Sequence, residues 1–192
     1  MTDNARESIA FVGDDLIAGG RWGEWFPDFD VQTFGAAGFT TDDLLARLHD
    51  IVEAQPDELV LLIGTEDLGR RGSVEHVVRN IETALVTLRK ELPGTRLLLV
   101  SILPRGHEFA DRIKEANRHL WQFVATVHGQ YLDAWHALAL EDGELNPVYS
   151  SDRLHLNEEG YDAWLAELRP ALQRLRDQPP MSGVITLPRI HS

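Results

Sequence analysis

Short apolar segments alternate along the chain with longer segments in which apolar residues recur at helical spacing. Five short segments predict strands, at residues 9–12, 31–34, 59–63, 97–102 and, more weakly, 131–132. The middle three are apolar almost throughout, as expected of strands that are covered on both faces. The helical spacing predicts four helices, at residues 41–54, 74–92, 109–128 and 158–176, the last interrupted at Pro170.

This alternation of strands and helices predicts βαβ units and a parallel sheet with helices on both faces. The length of 192 residues suits one domain. We assign residues 1–176 to that domain and residues 177–192 to a C-terminal tail punctuated by prolines. Ligand sites in parallel sheets lie at the carboxyl ends of the strands. The residues that directly follow each strand are therefore the candidates for function.

Composition excludes several kinds of site and partner. The chain has no cysteine, so disulfides, thiolate zinc sites and cysteine nucleophiles are ruled out. Its net charge of −13 repels phosphate backbones, so we expect no nucleic-acid partner. The longest apolar run, residues 59–63, is far shorter than the ~20 residues of a membrane span, and no signal peptide is visible. We expect a soluble, cytoplasmic protein.

Polar residues with chemical potential follow the predicted strands. Asp15 comes after the first strand, Gly38 after the second and Glu66 after the third, whereas Asp152 and His155 precede the last helix. Because these loops share one rim of a doubly wound sheet, we expect the five residues to meet in one pocket.

The same residues resemble the motif blocks of the SGNH (GDSL) hydrolases, in the family's order. Residues 13–16 (Gly-Asp-Asp-Leu) align with its Gly-Asp-Ser-Leu block, and Gly38 aligns with its second-block glycine. Residues 64–67 (Gly-Thr-Glu-Asp) align with Gly-x-Asn-Asp, and Asp152 and His155 match Asp-x-x-His. The resemblance covers nearly the whole chain and is strongest to the subgroup similar to platelet-activating-factor acetylhydrolase.

This resemblance implies a three-layer α/β/α sandwich around a five-stranded parallel sheet, as in flavodoxin-like folds, and carboxylic-ester hydrolysis. In the family a serine at the position of Asp15 attacks the ester, the histidine is its base and the aspartate orients the imidazole. The glycine N–H and an asparagine at the position of Glu66 help to form the oxyanion hole. Asp15 and Glu66 therefore depart from the family pattern at two of its four namesake residues.

These departures favour a degenerate family member, weakly active or inactive, that binds a small ester-like ligand without a cofactor. A carboxylate has no proton for a base to remove, and an ionised Glu66 accepts hydrogen bonds only. Two alternatives stay open for the pocket: Asp15 as a nucleophile towards an alkyl halide or epoxide, or a divalent-metal site formed with Glu66, Asp152 and His155. A third is a structural role, with residues 184–187 of the tail contacting a neighbour in a homo-oligomer.

Each polar candidate also has a purely structural interpretation. Asp14 or Asp15 could cap the following helix, and residues 66–67 could form a solvated loop. Asp152 and His155 could simply fix their own loop. Arg70 could neutralise the acidic rim or bind an anion, although a solvated charge is the default interpretation.

The aromatic residues are more simply interpreted as core. Trp121 and Trp164 lie on helical stripes of apolar residues, which predicts that both are buried. For Trp22, Trp25 and Phe26, core packing is favoured over a role in lining the substrate side of the pocket.

Overall fold

Five parallel strands form a single sheet in this computed structural model, which describes residues 6–178. The proposed tail contact at residues 184–187 lies outside the described residues. The strands are β1 (Ser8–Gly13), β2 (Asp30–Gly35), β3 (Glu58–Leu62), β4 (Arg96–Val100) and β5 (Gln130–Leu132). Their spatial order is β2-β1-β3-β4-β5, and every neighbouring pair is parallel. The predicted sheet is confirmed.

Helices cover both faces of the sheet and complete the three-layer sandwich. In chain order they are α1 (Asp15–Ala18), α2 (Trp22–Trp25), α3 (Thr41–Ala46), α4 (Leu48–Ala54), α5 (Thr65–Gly69), α6 (Val74–Glu91), α7 (Ala110–Val124), α8 (Trp135–Leu138) and α9 (Glu158–Asp177). Single 3₁₀ turns at His107–Phe109 and Ala125–Val127 flank α7. No helix within residues 6–178 is long and apolar enough to cross a membrane.

The central strands divide their side chains between two hydrophobic cores. On β3, Leu59 and Leu61 pack on one side with residues of α6 and α7. Val60 and Leu62 point to the other side and pack with Trp22 and other residues of α1, α2, α8 and α9. Because both faces are covered, β3 is buried along its whole length.

Three predicted details are wrong. The segment around residues 31–34 was expected to be covered on both faces, but β2 is an edge strand whose side chains are only partly buried. The helix predicted at 41–54 breaks at Arg47, whose φ of −112° leaves the helical region. Helix α9 continues through Pro170. Both Pro170 and Ala166, whose carbonyl loses its partner, lie on the exposed face, where water can satisfy that oxygen.

The tryptophans also divide into confirmed and wrong predictions. Trp164 and Trp22 are buried, and Phe26 is 5% exposed, so core packing is confirmed for these three. Trp121 is 60% exposed, contrary to the prediction of a core position. It follows Leu120, which is fully buried, so it lies at the border of the apolar stripe of α7 and faces outwards.

Candidate active site

The turn after β1 places two neighbouring aspartates in different surroundings. A side chain at Gly13 would put its Cβ 1.8 Å from the carbonyl oxygen of Leu62, so only glycine allows β1 and β3 to approach so closely here. Asp14 follows as the N-cap of α1, and its Oδ1 accepts the backbone N–H of Leu16. The capping interpretation therefore applies to Asp14, whereas Asp15 is the first residue of the helix.

The carboxylate of Asp15 makes the central contacts of the site. Its Oδ2 accepts the backbone N–H of Gly38 at 2.9 Å, and its Oδ1 lies 3.7 Å from Nε2 of His155. Gly38 has a φ of +72°, in the left-handed region that glycine tolerates best. These contacts join the ends of β1 and β2 to the loop before α9. The predicted meeting of Asp15, Gly38 and His155 is observed.

Asp152 holds the other side of His155. Its Oδ2 lies 2.6 Å from Nδ1 of His155, and its Oδ1 accepts the backbone N–H groups of Leu154 and His155. The hydrogen bond that Asp152 accepts from His155, together with the negative charges of Asp152 and Asp15, raises the pKa of His155. The hydrogen bond from His155 in turn lowers the pKa of Asp152. His155 therefore lies between two carboxylates, both of which favour its protonated form.

Glu66 joins the site indirectly, through Arg70. Its Oε1 accepts from Nε of Arg70 at 2.8 Å, one helical turn further along the chain. Nη2 of the same guanidinium donates to the carbonyl oxygen of Gly38 at 3.1 Å. Arg70 thus neutralises Glu66 and also contacts Gly38, the residue whose backbone N–H donates to Asp15. Among the alternatives for Arg70, neutralising the acidic rim fits these contacts.

Asp14 and Asp67 are buried carboxyl groups close behind the site. Burial, reinforced by the charges of Asp15 and Asp67, raises the pKa of Asp14 to about 7. Burial also raises the pKa of Asp67, which accepts the backbone N–H and hydroxyl of Thr41. The interpretation of residues 66–67 as a solvated loop is therefore wrong, because Asp67 is 6% exposed and ties α5 to α3.

The described residues support neither a divalent-metal site nor a serine that could replace the missing nucleophile. Within residues 6–178, no group of three or more His, Cys, Asp or Glu side chains is placed to hold a metal ion. The carboxylate of Glu66 is instead paired with the guanidinium of Arg70. The structure therefore gives no support to a divalent-metal site. Ser150 is 3% exposed and its hydroxyl donates to Oδ1 of Asp152, so it is not available as a substitute nucleophile.

Sequence reasoning missed the part that Arg105 and Tyr161 have in shaping the rim. Nη1 of Arg105 donates to the carbonyl of Thr65 at 2.7 Å, and its guanidinium stacks on Phe109. The hydroxyl of Tyr161 donates to the carbonyl of Leu16 at the base of α1. The available signal was position alone: Arg105 follows β4, and Tyr161 lies in the first turn of α9.

A family model described as the GDSL-like lipase/acylhydrolase family matches residues 8–163 of the chain. The chain belongs to this family. It is 27% identical over 191 residues to the platelet-activating factor acetylhydrolase IB subunit alpha1 of Bos taurus, an alignment that covers 94% of the chain and 81% of that relative. It is 25% identical over 183 residues to the corresponding subunit alpha2 of Gallus gallus, with 90% and 79% covered.

Two solved structures of other proteins share the fold. A GDSL-like lipase from Bacteroides thetaiotaomicron superimposes with a TM-score of 0.76 at 22% identity, covering 88% of this chain and 89% of that one. An acetylxylan esterase from Geobacillus stearothermophilus gives a TM-score of 0.70 at 16% identity, covering 93% and 98%. At these identities the likeness concerns the fold, which is that of the SGNH hydrolases.

Proposed function

We propose that this family member binds a small ester-like ligand at the rim of the sheet and hydrolyses esters weakly or not at all. One observation carries the proposal. The carboxylate of Asp15 contacts both groups that a hydrolytic serine at this position would use, the imidazole of His155 and the N–H of Gly38. The site keeps the family's geometry around a side chain that cannot perform the family's chemistry.

The first reason is the state of the base. A serine hydroxyl attacks an ester only when a neutral imidazole accepts its proton. Asp15 has no such proton in its ionised form, and attack by its carboxylate on an ester would give an anhydride. His155 is flanked by Asp15 and Asp152, which raise its pKa and favour the protonated form. A protonated imidazole cannot act as a general base.

The second reason is the oxyanion hole. The N–H of Gly38, which the resemblance assigns to that hole, already donates to Oδ2 of Asp15. Glu66 stands where the family has an amide donor, and its carboxylate is engaged by Arg70. Loss of one oxyanion donor lowers the rate by about 10²–10³. Here one donor is occupied and a second is replaced by an acceptor, so both losses act on the same transition state.

The decisive experiment compares hydrolysis of p-nitrophenyl acetate by the wild type, the double variant Asp15→Ser/Glu66→Asn and the variant His155→Ala. We expect turnover from the double variant alone, because it restores a nucleophile and an amide donor to a site that keeps His155 and Asp152. Hydrolysis by the wild type that disappears in His155→Ala would overturn the proposal, since the site would then be an esterase with another nucleophile.

A second candidate is hydrolysis that uses Asp15 itself as the nucleophile. Oδ1 of Asp15 lies 3.7 Å from His155, beyond hydrogen-bond distance, and is free to approach a carbon atom. Attack on an epoxide would form an alkyl ester on Asp15 and break the C–O bond, with solvent protonating the alkoxide that is released. Water would then hydrolyse the ester to give a diol and regenerate the carboxylate of Asp15. Styrene oxide tests it: consumption by the wild type and not by Asp15→Asn would favour this chemistry. The raised pKa of His155 disfavours it, because the second step needs a neutral base to activate water.

A further inference from the structure

A groove of about 510 Å³ lies between α7, the edge strand β5 and α8, away from the candidate active site. We name it the β5 groove, and its lining includes Lys114, Arg118, Trp121, Tyr131 and Trp135. None of these residues takes part in the contacts around Asp15 and His155. The volume falls within the range of about 300–1,000 Å³ that is usual for small-molecule sites.

Three aromatic side chains form its apolar surface. Trp121 is 60% exposed, and among the exposed large hydrophobic residues of the described chain it is the one aromatic. Trp135 is 7% exposed and Tyr131 is partly buried, so both are fixed by the fold. The hydroxyl of Tyr131 donates to the carbonyl of Asn117 on α7, which ties the two sides of the groove together. An indole exposed beside two fixed rings offers a stacking surface for a flat ligand.

Two cations lie beside this surface. Lys114, Arg118 and Trp121 are spaced at i, i+4 and i+7 on α7, which puts them on one face of the helix. Neither Lys114 nor Arg118 has a carboxylate within 4 Å among residues 6–178, although Asp133 also lines the groove. Nζ of Lys114 lies 5.6 Å from the centre of the Trp135 ring, so this cation is already placed beside the aromatic surface. In a chain with a net charge of −13, two cations without such a partner form a local site for an anion.

From this combination we infer that the β5 groove binds an aromatic carboxylate. The ring stacks on Trp121, and the carboxylate bonds to Lys114 and Arg118, of which the guanidinium can bind it through two parallel N–H groups. The net charge of −13 opposes docking on anionic lipid, which favours a small molecule over a membrane surface. The inference is independent of the proposed function, because the two sites share no residue.

The first test is calorimetric titration of the full chain with 2-naphthoate. Two matched ligands separate the parts of the site: 2-naphthalenemethanol keeps the rings without the charge, and cyclohexanecarboxylate keeps the charge without an aromatic ring. We expect 2-naphthoate to bind with one-to-one stoichiometry. Each of the other two should bind at least about tenfold more weakly, since each lacks either the charge-assisted hydrogen bonds or the stacking.

Variants then locate the binding. Trp121→Ala should weaken 2-naphthoate binding by about tenfold or more. The double variant Lys114→Gln/Arg118→Gln should do the same for 2-naphthoate while leaving 2-naphthalenemethanol unchanged. Val86→Ala removes an exposed apolar side chain from α6, and Lys90→Gln an exposed charge from the same helix, so both should bind like the wild type. All five substitutions in these four variants are at exposed positions.

Three results would overturn the inference. The first is absence of 2-naphthoate binding at millimolar concentration, or binding that Trp121→Ala leaves intact. The second is binding lost in His155→Ala, which would assign the ligand to the candidate active site. The third is a concentration-dependent mass in sedimentation that Trp121→Ala abolishes, which would make the groove an interface between copies of the chain.

Discussion

One charged pair is largely buried at one end of the sheet, and another is exposed at the other end. At the amino ends of the strands, Glu58 is fully buried, and two nitrogens of Arg176 bind its two oxygens at 2.6 and 2.8 Å. At the carboxyl ends, the side chains of His155 and Asp152 are 54% and 50% exposed. Pairing at the first end is complete, and its carboxylate is closed to solvent. At the second it leaves carboxylate and imidazole atoms facing outwards, where a ligand can reach them.

The largest effect that we expect is on stability, at the amino end. Arg176→Ala leaves the carboxylate of Glu58 buried without its cation, and removal of one partner of such a pair costs about 3–5 kcal/mol. Arg176 also stacks on Phe29, so its loss removes packing as well. Urea unfolding followed by circular dichroism measures the change in the free energy of unfolding.

A matched pair of controls separates burial from charge. Arg47→Ala breaks an exposed ion pair with Asp50 and should cost less than about 1 kcal/mol. Replacing both buried partners, as in Glu58→Met/Arg176→Leu, should recover most of the loss, because no uncompensated charge remains. A loss in Arg176→Ala as small as that in Arg47→Ala would contradict the contrast between the two ends.

The next effect concerns Asp14, a buried carboxyl group behind the exposed site. Its pKa is raised from 3.8 in the unfolded chain to about 7 in the folded one, because burial disfavours the charged form. The stability that it contributes is full below the unfolded value and is lost as the pH rises through the folded one. Between pH 5 and pH 8 the wild type should lose on the order of 2 kcal/mol from this group. Asp14→Asn should flatten that dependence in urea unfolding at the two pH values, and an unchanged slope would contradict it.

A smaller and more local effect is expected on His155. Asp152→Asn removes the negative charge and leaves only a neutral acceptor in the hydrogen bond that raises the pKa of His155 most, so that pKa should fall. Asp15→Asn should lower it less, because Oδ1 of Asp15 lies 3.7 Å from the ring whereas Oδ2 of Asp152 lies 2.6 Å from it. Titration of the histidine resonances by nuclear magnetic resonance measures both shifts.

The sign of the accompanying stability change follows from the direction of the shift. Because folding raises the pKa of His155, its contribution is present at acidic pH and is lost as the pH rises through the raised value. The other histidine resonances serve as internal controls. A larger shift in Asp15→Asn than in Asp152→Asn would mean that Asp15 is the principal partner of the imidazolium, which would reverse the assignment.

The contacts of the site could be predicted where a general rule of the fold applied. Asp15 and His155 are 140 positions apart, yet the rule that parallel strands end at one rim was sufficient to expect them together. The contact of Arg70 with Glu66 follows the helical i,i+4 spacing, but its second contact, with Gly38, depends on how α5 approaches the loop after β2. Sequence spacing contains no information about that approach.

Features at the borders of elements were the least predictable. Leu120 is buried on the apolar stripe of α7, and the apolar side chain of Trp121 suggests that it belongs to the same stripe. Successive residues of a helix are 100° apart, however, and this turns the indole of Trp121 outwards. β2 has Gln32 and Thr33 between its apolar residues, unlike the central strand β3, and its edge position is set by the order in which the strands assemble. In both cases the chain specifies the element, whereas the packing of its neighbours decides what is exposed.

The smallest effect that we expect is that of Arg70→Ala, which tests the contact of Arg70 with Gly38. In the wild type its ion pair with Glu66 is exposed on the arginine side, so Arg70→Ala should cost less than about 1 kcal/mol of stability. In the background of Asp15→Ser/Glu66→Asn the ion pair no longer exists, and the contact with the carbonyl of Gly38 remains. Arg70→Ala should then lower kcat for p-nitrophenyl acetate by less than about tenfold, because the Gly38 N–H is still present but less firmly oriented.

Arg79→Ala, at an exposed position on α6, is the control and should leave kcat unchanged. A fall of 10²-fold or more in Arg70→Ala would equal the loss of an oxyanion donor itself. The guanidinium would then have to contact the reacting ester, and Arg70 would be a catalytic rather than a positioning residue. A fall of a few-fold in kcat with KM unchanged would instead place its effect in the orientation of Gly38, which is the contact that the fold provides and the sequence spacing does not reveal.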